Sequence, residues 1–216
     1  MTTPILEQAR LYAIIDTGYL GDRPVEFYAR ELVAGGADIV QLRAKGLPAE
    51  RVIEMGRAIL PILRDGGVPL IINDDPVAAG SVGAAGAHVG QDDMPVRDAR
   101  RLAAWRVAPQ SIVGKSTHSP QQAFAAAEEG ADYIGFGPLF ATPTKPDYPA
   151  IGLCDVARVT AGAGLPVFCI GGVKIENLRD VLKAGARRVV VVSGILKAGR
   201  PSEYCRALKE ILLEVG

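Results

Sequence analysis

The sequence predicts a closed (β/α)8 barrel, and three observations carry that prediction. Its 216 residues fall near the short end of the barrel range, which begins at about 200. Segments with helical patterning end repeatedly in Gly-Ala or Gly-Gly-Ala, and a short apolar run follows each at once. Eight such runs alternate with helical segments, without a linker or a break in composition. The chain, residues 1–216, therefore reads as one domain long enough to bury its own core.

The elements follow in order. The first strand is Leu11–Asp16, and Gly35-Gly36-Ala37-Asp38 leads into a second, Ile39–Arg43. A helix over Ala49–Leu63 precedes the third strand, Val68–Asn73. Gly83-Ala84-Ala85-Gly86-Ala87 leads into the fourth, His88–Gln91, and a helix over Pro95–Trp105 leads to the fifth, Ser111–Ser116. Helix Pro120–Glu129 and Gly130-Ala131-Asp132 introduce the sixth, Tyr133–Gly137. The seventh is Leu165–Ile170; helix Ile175–Ala184 and Gly185-Ala186 bring the chain to the eighth, Val189–Ser193, before a last helix over Pro201–Leu213. Glycine just past a helix supplies the left-handed cap that other residues resist. The β-branched runs behind it suit strands buried on both faces of a parallel sheet. An open doubly wound sheet is the competing architecture, but Asp16-Thr17-Gly18-Tyr19 lacks its glycine fingerprint.

Composition narrows the function classes. Apolar residues make up 49% and charged residues 22%, and Lys plus Arg equals Asp plus Glu at 24 each. That balance argues against nucleic acid or an anionic membrane as the main partner. No apolar run approaches the roughly 18 residues of a membrane span. The start, Met1-Thr2-Thr3-Pro4, has neither a basic lead nor an apolar signal core. Cys154, Cys169 and Cys205 have no paired spacing and read as reduced, structural thiols of a cytoplasmic protein.

Polar residues gather where the strands end, the place where barrels put their chemistry. Gln41, Arg43 and Lys45 alternate with Leu42 and Ala44, so period two sends all three to one side. Two cations facing a confined mouth need an anion to offset their desolvation; an internal ion pair with barrel carboxylates is the alternative. Asn73-Asp74-Asp75 and Gln91-Asp92-Asp93 end adjacent strands, so two carboxylates can converge on a hard cation. Oxygen ligands without His or Cys favour Mg²⁺ shared with substrate phosphates, although such acids also cap helices. Gly171-Gly172-Val173 and Val192-Ser193-Gly194 end the last two strands, where barrels often bind phosphate through backbone N–H groups. The span from Pro138 to Ala150, with four prolines, is a long loop for substrate contact or a lid. Two anion sites in one mouth suggest two phosphorylated small molecules, or one with phosphates at both ends. The equipment is mainly charge neutralisation, which suits loss of a phosphate or pyrophosphate group.

These residues bring a family into view. Leu11–Asp16, Gln41-Leu42-Arg43-Ala44-Lys45, Ile72-Asn73-Asp74-Asp75, His88-Val89-Gly90-Gln91-Asp92-Asp93 and Gly114-Lys115-Ser116-Thr117-His118 stand in sequence with Gly130–Pro138, Thr142-Pro143-Thr144-Lys145, Ile170-Gly171-Gly172 and Val191-Val192-Ser193. In that order and at compatible spacing, the chain resembles the thiamine phosphate synthase family along nearly its whole length. The resemblance implies a transferase that joins a hydroxymethylpyrimidine diphosphate to a thiazole phosphate and releases pyrophosphate. It assigns the pyrimidine diphosphate to the segment Gln41 to Lys45 with Asn73, Ser116 and Lys145, and Mg²⁺ to Asp74 and Asp93. Thr142, Pro143, Thr144, Gly172, Val192 and Ser193 would surround the thiazole phosphate. It also implies a dissociative reaction in which Arg43, Lys45 and Lys145 stabilise departing pyrophosphate and no protein nucleophile takes part. Two positions depart from the family pattern: Ala85 replaces a common Asp, and Lys115 stands where a small apolar residue is usual.

Two other readings remain. A sister group of thiazole tautomerases is similar at Ser116-Thr117-His118 and would use His118 for proton transfer. It tends to lose the Asn-Asp pair and the later aspartate that this chain keeps as Asn73, Asp74 and Asp93. A barrel that only binds a phosphorylated ligand is the non-enzymatic reading, since fold alone does not fix function. His88 reads as a hydrogen-bonded structural histidine.

Overall fold

A computed structural model describes residues 4–103, 111–142 and 149–214 of the chain. Eight parallel strands close into a barrel in sequence order. They are β1 (Leu11–Asp16), β2 (Ile39–Arg43), β3 (Leu70–Asn73), β4 (Gly86–Val89), β5 (Ile112–Thr117), β6 (Tyr133–Phe136), β7 (Val167–Cys169) and β8 (Val189–Val191). The closing pair puts Leu11 beside Val189. Among the described residues the helices are α1 (Pro4–Gln8), α2 (Val25–Ala34), α3 (Ala49–Asp65), α4 (Pro76–Val82), α5 (Val96–Ala103), α6 (Pro120–Glu128), α7 (Val156–Gly162), α8 (Ile175–Lys183), α9 (Ser193–Leu196) and α10 (Pro201–Leu213).

Strand alternation sorts the core into two layers. Tyr12, Ile14, Ile39, Ile71, Ile112, Tyr133, Phe168 and Val190 fill the barrel. Their neighbours Leu11, Ala13, Val40, Leu42, Leu70 and Ile72 face outward and join the helices. Both faces of every strand are thus covered, as a parallel sheet requires.

The expected cap glycines hold: Gly36, Gly83, Gly130 and Gly185 have φ of 82°, 82°, 85° and 104°. Some expected boundaries move. The fourth strand starts at Gly86, not His88, and Gly90 and Gln91 lie past its end. The cause is a close crossing: a Cβ on Gly86 would lie 1.8 Å from the Ile112 carbonyl oxygen. A glycine that reads as turn punctuation is therefore a strand residue chosen for room. The third and seventh strands are shorter than expected, beginning at Leu70 and Val167. Trp105, expected to end a helix, lies outside the described residues.

The N-terminal end of the strands is pinned by aspartates. Asp38 accepts the N–H groups of Arg10 and Leu11, both at 2.8 Å, and pairs with Lys209. Asp132 accepts the Val113 N–H at 2.7 Å and pairs with Arg100 at 2.9 Å. The two are structural equivalents, because the Asp38 N–H donates to Leu11 and the Asp132 N–H to Val113. Ala85, whose N–H donates to Leu70, occupies the same station without a carboxylate. Leu6 of α1 and Ala9, the residue that follows α1, close this end beneath Tyr12, Ile39, Ile71 and Phe168. Lys115 points outward, 6% exposed, and pairs with Glu129 at 2.9 Å, so its charge is compensated in the helix layer. Among the described residues no helix is long and apolar enough to cross a membrane.

Candidate active site

A cavity opens at the C-terminal end of the strands. Its floor is aromatic: Tyr12, Tyr133 and Phe168 pack edge to face or tilted, with ring centroids 5.5–5.7 Å apart. The Tyr133 ring fits only because residue 114 is glycine, where a Cβ would fall 2.0 Å from its Cζ. The two phenols are hydrogen-bonded to each other at 2.9 Å, and Gln41 Nε2 donates to Tyr12 at 2.7 Å. His88 bridges Tyr133 (3.0 Å, through Nδ1) and Ser116 (3.0 Å, through Nε2), so both its ring nitrogens are engaged as a structural histidine requires. Burial pushes both phenol pKa values above their ordinary range.

Above the floor, β2 to β4 carry most of the charge. Arg43 borders the cavity, and its guanidinium donates at 2.7 Å to Asp16, the buried residue that ends β1. The register sets Asp16 directly beside Arg43. The internal ion pair weighed from sequence thus exists for Arg43; Lys45, just past the strand, is exposed. An arginine fork with one N–H on Asp16 keeps further donors for an anion. Leu42 and Ala44 turn their side chains into the helix layer, so only their backbone remains for a ligand.

Asn73 ends β3 and lines the cavity. Next to it, Asp74 has φ 62°, and among the described residues it is the one non-glycine residue in the left-handed region. Aspartate tolerates that conformation better than most, and such strain concentrates at functional positions. Asp75 is the helix cap, accepting the Ala78 N–H at 2.8 Å. Asp93 is exposed and accepts the Gly90 N–H at 2.6 Å. The Asp74 N–H donates to the His88 carbonyl, which ties the ends of β3 and β4 together. Asp74 and Asp93 stand outside the cavity lining, on adjacent loops at its rim. Among the described residues no group of three or more His, Cys, Asp or Glu side chains is set to hold a metal ion. Asp74 and Asp93, on neighbouring loops, are the carboxylates that could hold a hard cation such as Mg²⁺, which keeps waters and takes further oxygens from substrate phosphates.

The rest of the lining comes from β5 to β8. Ser116 lines the cavity from β5, and Gln91 Nε2 donates to its carbonyl at 2.5 Å. His118 also lines it; its Nδ1 donates to the Gly137 carbonyl, which fixes that nitrogen as protonated. Gly171 and Gly172 have φ of 96° and 67°. A Cβ on either would strike the crossing loop, 2.4 Å from Pro138 Cα and 2.7 Å from Phe140 Cβ. Asn177 Nδ2 donates to the Gly172 carbonyl at 2.9 Å and steadies the turn. Val192, Ser193 and Thr142 complete this side. Pro143, Thr144 and Lys145 lie outside the described residues. Cys169 and Cys205 are buried, and burial pushes both thiols up to about 12, so neither supplies a thiolate near neutrality.

Of the side chains nominated from sequence, Gln41, Arg43, Asn73, Ser116, Thr142, Gly172, Val192 and Ser193 meet around one cavity. Sequence reasoning gave no role to Asp16, Tyr12 or Tyr133. Their signal was a polar tip at an inward-alternating strand position, which is weak beside so many apolar neighbours.

Comparison with known proteins agrees along the chain. Residues 11–195 match a family described as thiamine monophosphate synthase. The chain is 43% identical over 209 residues to the thiamine-phosphate synthase of Thermus thermophilus, covering 95% of this chain and 98% of that one. It is 40% identical over 203 residues to the thiamine-phosphate synthase of a Roseiflexus species, covering 94% and 84%. A solved structure of thiamine phosphate pyrophosphorylase from Pyrococcus furiosus superposes with a TM-score of 0.87 at 31% identity, covering 98% of each chain.

Proposed function

Because the chain belongs to the thiamine monophosphate synthase family, we propose that it joins 4-amino-2-methyl-5-hydroxymethylpyrimidine diphosphate to hydroxyethylthiazole phosphate, yielding thiamine phosphate and pyrophosphate. The enzyme is a transferase. The observation that carries the substrate reading is the convergence of Gln41, Arg43, Asn73 and Ser116 on one side of a cavity whose other side is Gly172, Val192 and Ser193. Two phosphorylated substrates need two such walls.

The reaction breaks the bond between the pyrimidine methylene carbon and the diphosphate oxygen, and the electron pair leaves with pyrophosphate. The thiazole nitrogen then gives its lone pair to that carbon. Arg43, Lys45 and Lys145 neutralise the departing group, and Asp16 holds the Arg43 guanidinium in place for it. Gln41, Asn73 and Ser116 orient the pyrimidine diphosphate; Thr142, Pro143, Thr144, Gly172, Val192 and Ser193 hold the thiazole phosphate. Asp74 and Asp93 would hold Mg²⁺, which supplies positive charge to the leaving pyrophosphate. The test is pyrophosphate release from purified protein given both precursors with Mg²⁺. Release that needs both precursors supports the reading, and none under any metal condition rejects it.

One observation favours a second reading: His118 borders the cavity with its Nδ1 proton committed to Gly137. That is the posture of a proton-transfer residue in a thiazole tautomerase. His118→Asn separates the two, because it cannot titrate. The synthase retains activity within about tenfold, whereas a tautomerase loses roughly 10²–10⁴ in rate.

A further inference from the structure

Five side chains on the cavity floor form one unbroken hydrogen-bonded line. It runs from Gln41 to Tyr12 (2.7 Å), Tyr133 (2.9 Å), His88 Nδ1 (3.0 Å), and from His88 Nε2 to Ser116 (3.0 Å). Gln41 and Ser116, the two ends, border the cavity from β2 and β5. The phenols between them are each 1% exposed, and burial keeps both protonated. Each hydroxyl gives one proton and accepts another, and so does a neutral imidazole.

A line of such groups has two self-consistent polarities. In one, the Gln41 amide donates to Tyr12, Tyr12 to Tyr133, and Tyr133 to His88 Nδ1. His88 Nε2–H then donates to Ser116, whose own proton is left for the cavity. In the other, the Gln41 amide is turned over and every bond is reversed: Ser116 donates to Nε2, Nδ1–H to Tyr133, Tyr133 to Tyr12, and Tyr12 to Gln41 Oε1. A mixture leaves either two protons or two lone pairs facing each other in the buried line, which low dielectric makes costly.

We infer that this line is a polarity relay that couples recognition of the pyrimidine ring at Gln41 to recognition of the diphosphate at Ser116. The inference rests on the substrate reading above. An amino-substituted ring donates to Gln41 Oε1 and selects the first polarity, which makes Ser116 a donor to a phosphate oxygen. An oxo-substituted ring accepts from the amide instead, selects the second, and loses the Ser116 donor. Tyr12, Tyr133 and His88 are positioning residues that act through the two ends. Discrimination between amino and oxo rings is thereby expressed at both ends of the site.

The relay is tested without turnover. The chain has two histidines, so ring ¹⁵N spectra of histidine-labelled protein, assigned with His118→Asn, report the His88 tautomer directly. Gln41→Glu places an acceptor where the amide donated, and Arg43 on the same face favours its ionised form. His88 is expected to pass from Nε2–H to Nδ1–H in this variant. Adding Tyr12→Phe cuts the line and should restore Nε2–H. A His88 tautomer indifferent to Gln41→Glu, or one that changes equally with Tyr12→Phe present, overturns the relay.

Tyr12→Phe alone, which removes one oxygen atom, gives a second measure should Gln41→Glu not fold. It should lower the binding preference for the amino- over the oxo-pyrimidine diphosphate by about tenfold, roughly one lost hydrogen bond. Ser116→Ala added to it should then change that preference by less than about twofold. Fully multiplicative effects of the two substitutions overturn the coupling. A tautomer that switches in a protein binding neither diphosphate keeps the relay and rejects the substrate reading.

Discussion

At the N-terminal end of the barrel, Asp38 and Asp132 accept backbone N–H groups of the neighbouring strand and are paired with Lys209 and Arg100. At the other end of the same strands, Asp16 is paired with Arg43 and accepts the Gly18 N–H at 2.9 Å, yet Arg43 still faces the cavity. Asp74 there holds a strained left-handed backbone. The difference is in what the charges are for. Below, each carboxylate is consumed by the fold, so its loss costs stability. Above, the Arg43 guanidinium has more donors than the one that Asp16 takes and borders the cavity, so the loss of such a group is expected to cost activity.

The largest effect should come from the rim. Asp74→Asn and Asp93→Asn remove a charge with little change in volume. Turnover should fall by roughly 10² or more with the melting temperature held, and EDTA should abolish wild-type activity. Full activity of both variants in EDTA would detach these residues from the chemistry. Next comes Arg43→Ala, which deletes a charge-assisted contact worth about 1.5–3 kcal/mol and should weaken pyrophosphate binding by about tenfold or more. Ser193→Ala should instead raise the KM for the thiazole phosphate. If titration shows both variants acting equally on both ligands, the two walls have been assigned to the wrong substrates.

Asp38→Ala inverts the pattern. It strips two backbone donors of their acceptor and should cost about 1–3 kcal/mol of stability in urea unfolding. Its kcat/KM should stay within about twofold, and a selective loss of activity would blur the distinction between the ends. The smallest effect is a gain. Ala85→Asp restores a carboxylate beside Leu70 at the station that Asp38 and Asp132 occupy. It should add roughly 0.5–1 kcal/mol, about the worth of one hydrogen bond, read as a modest rise in melting temperature. A fall would show that the local packing has been rebuilt around alanine.

Much of the barrel was legible because its punctuation is local. Gly36, Gly83, Gly130 and Gly185 mark helix ends by a backbone need that one residue meets. Gln41 and Arg43 were legible as inward, late-strand polar residues, since alternation is a property of one strand; Ser116 came only from the family resemblance. The relay through Tyr12 and Tyr133 was not. Those residues lie 121 positions apart and meet only across the closed barrel, and in its own strand each looks like ordinary core. The pairing of Asp16 with Arg43 likewise depends on register between strands, which neither strand encodes alone. Gly86 misled for a related reason: its need for room is set by β5, not by its own neighbours.

The closure of the barrel by Leu6 and Ala9 bears on traffic. With that end sealed beneath the tyrosine floor, the cavity is a blind well. A molecule resting on the floor arrives and departs by the same mouth, and it lies beneath whatever binds after it. For two ligands, this depth predicts a queue, with the floor occupant first in and last out. A ligand seated high in the mouth acts as a cork, barring the floor site to new arrivals and holding captive what already lies there.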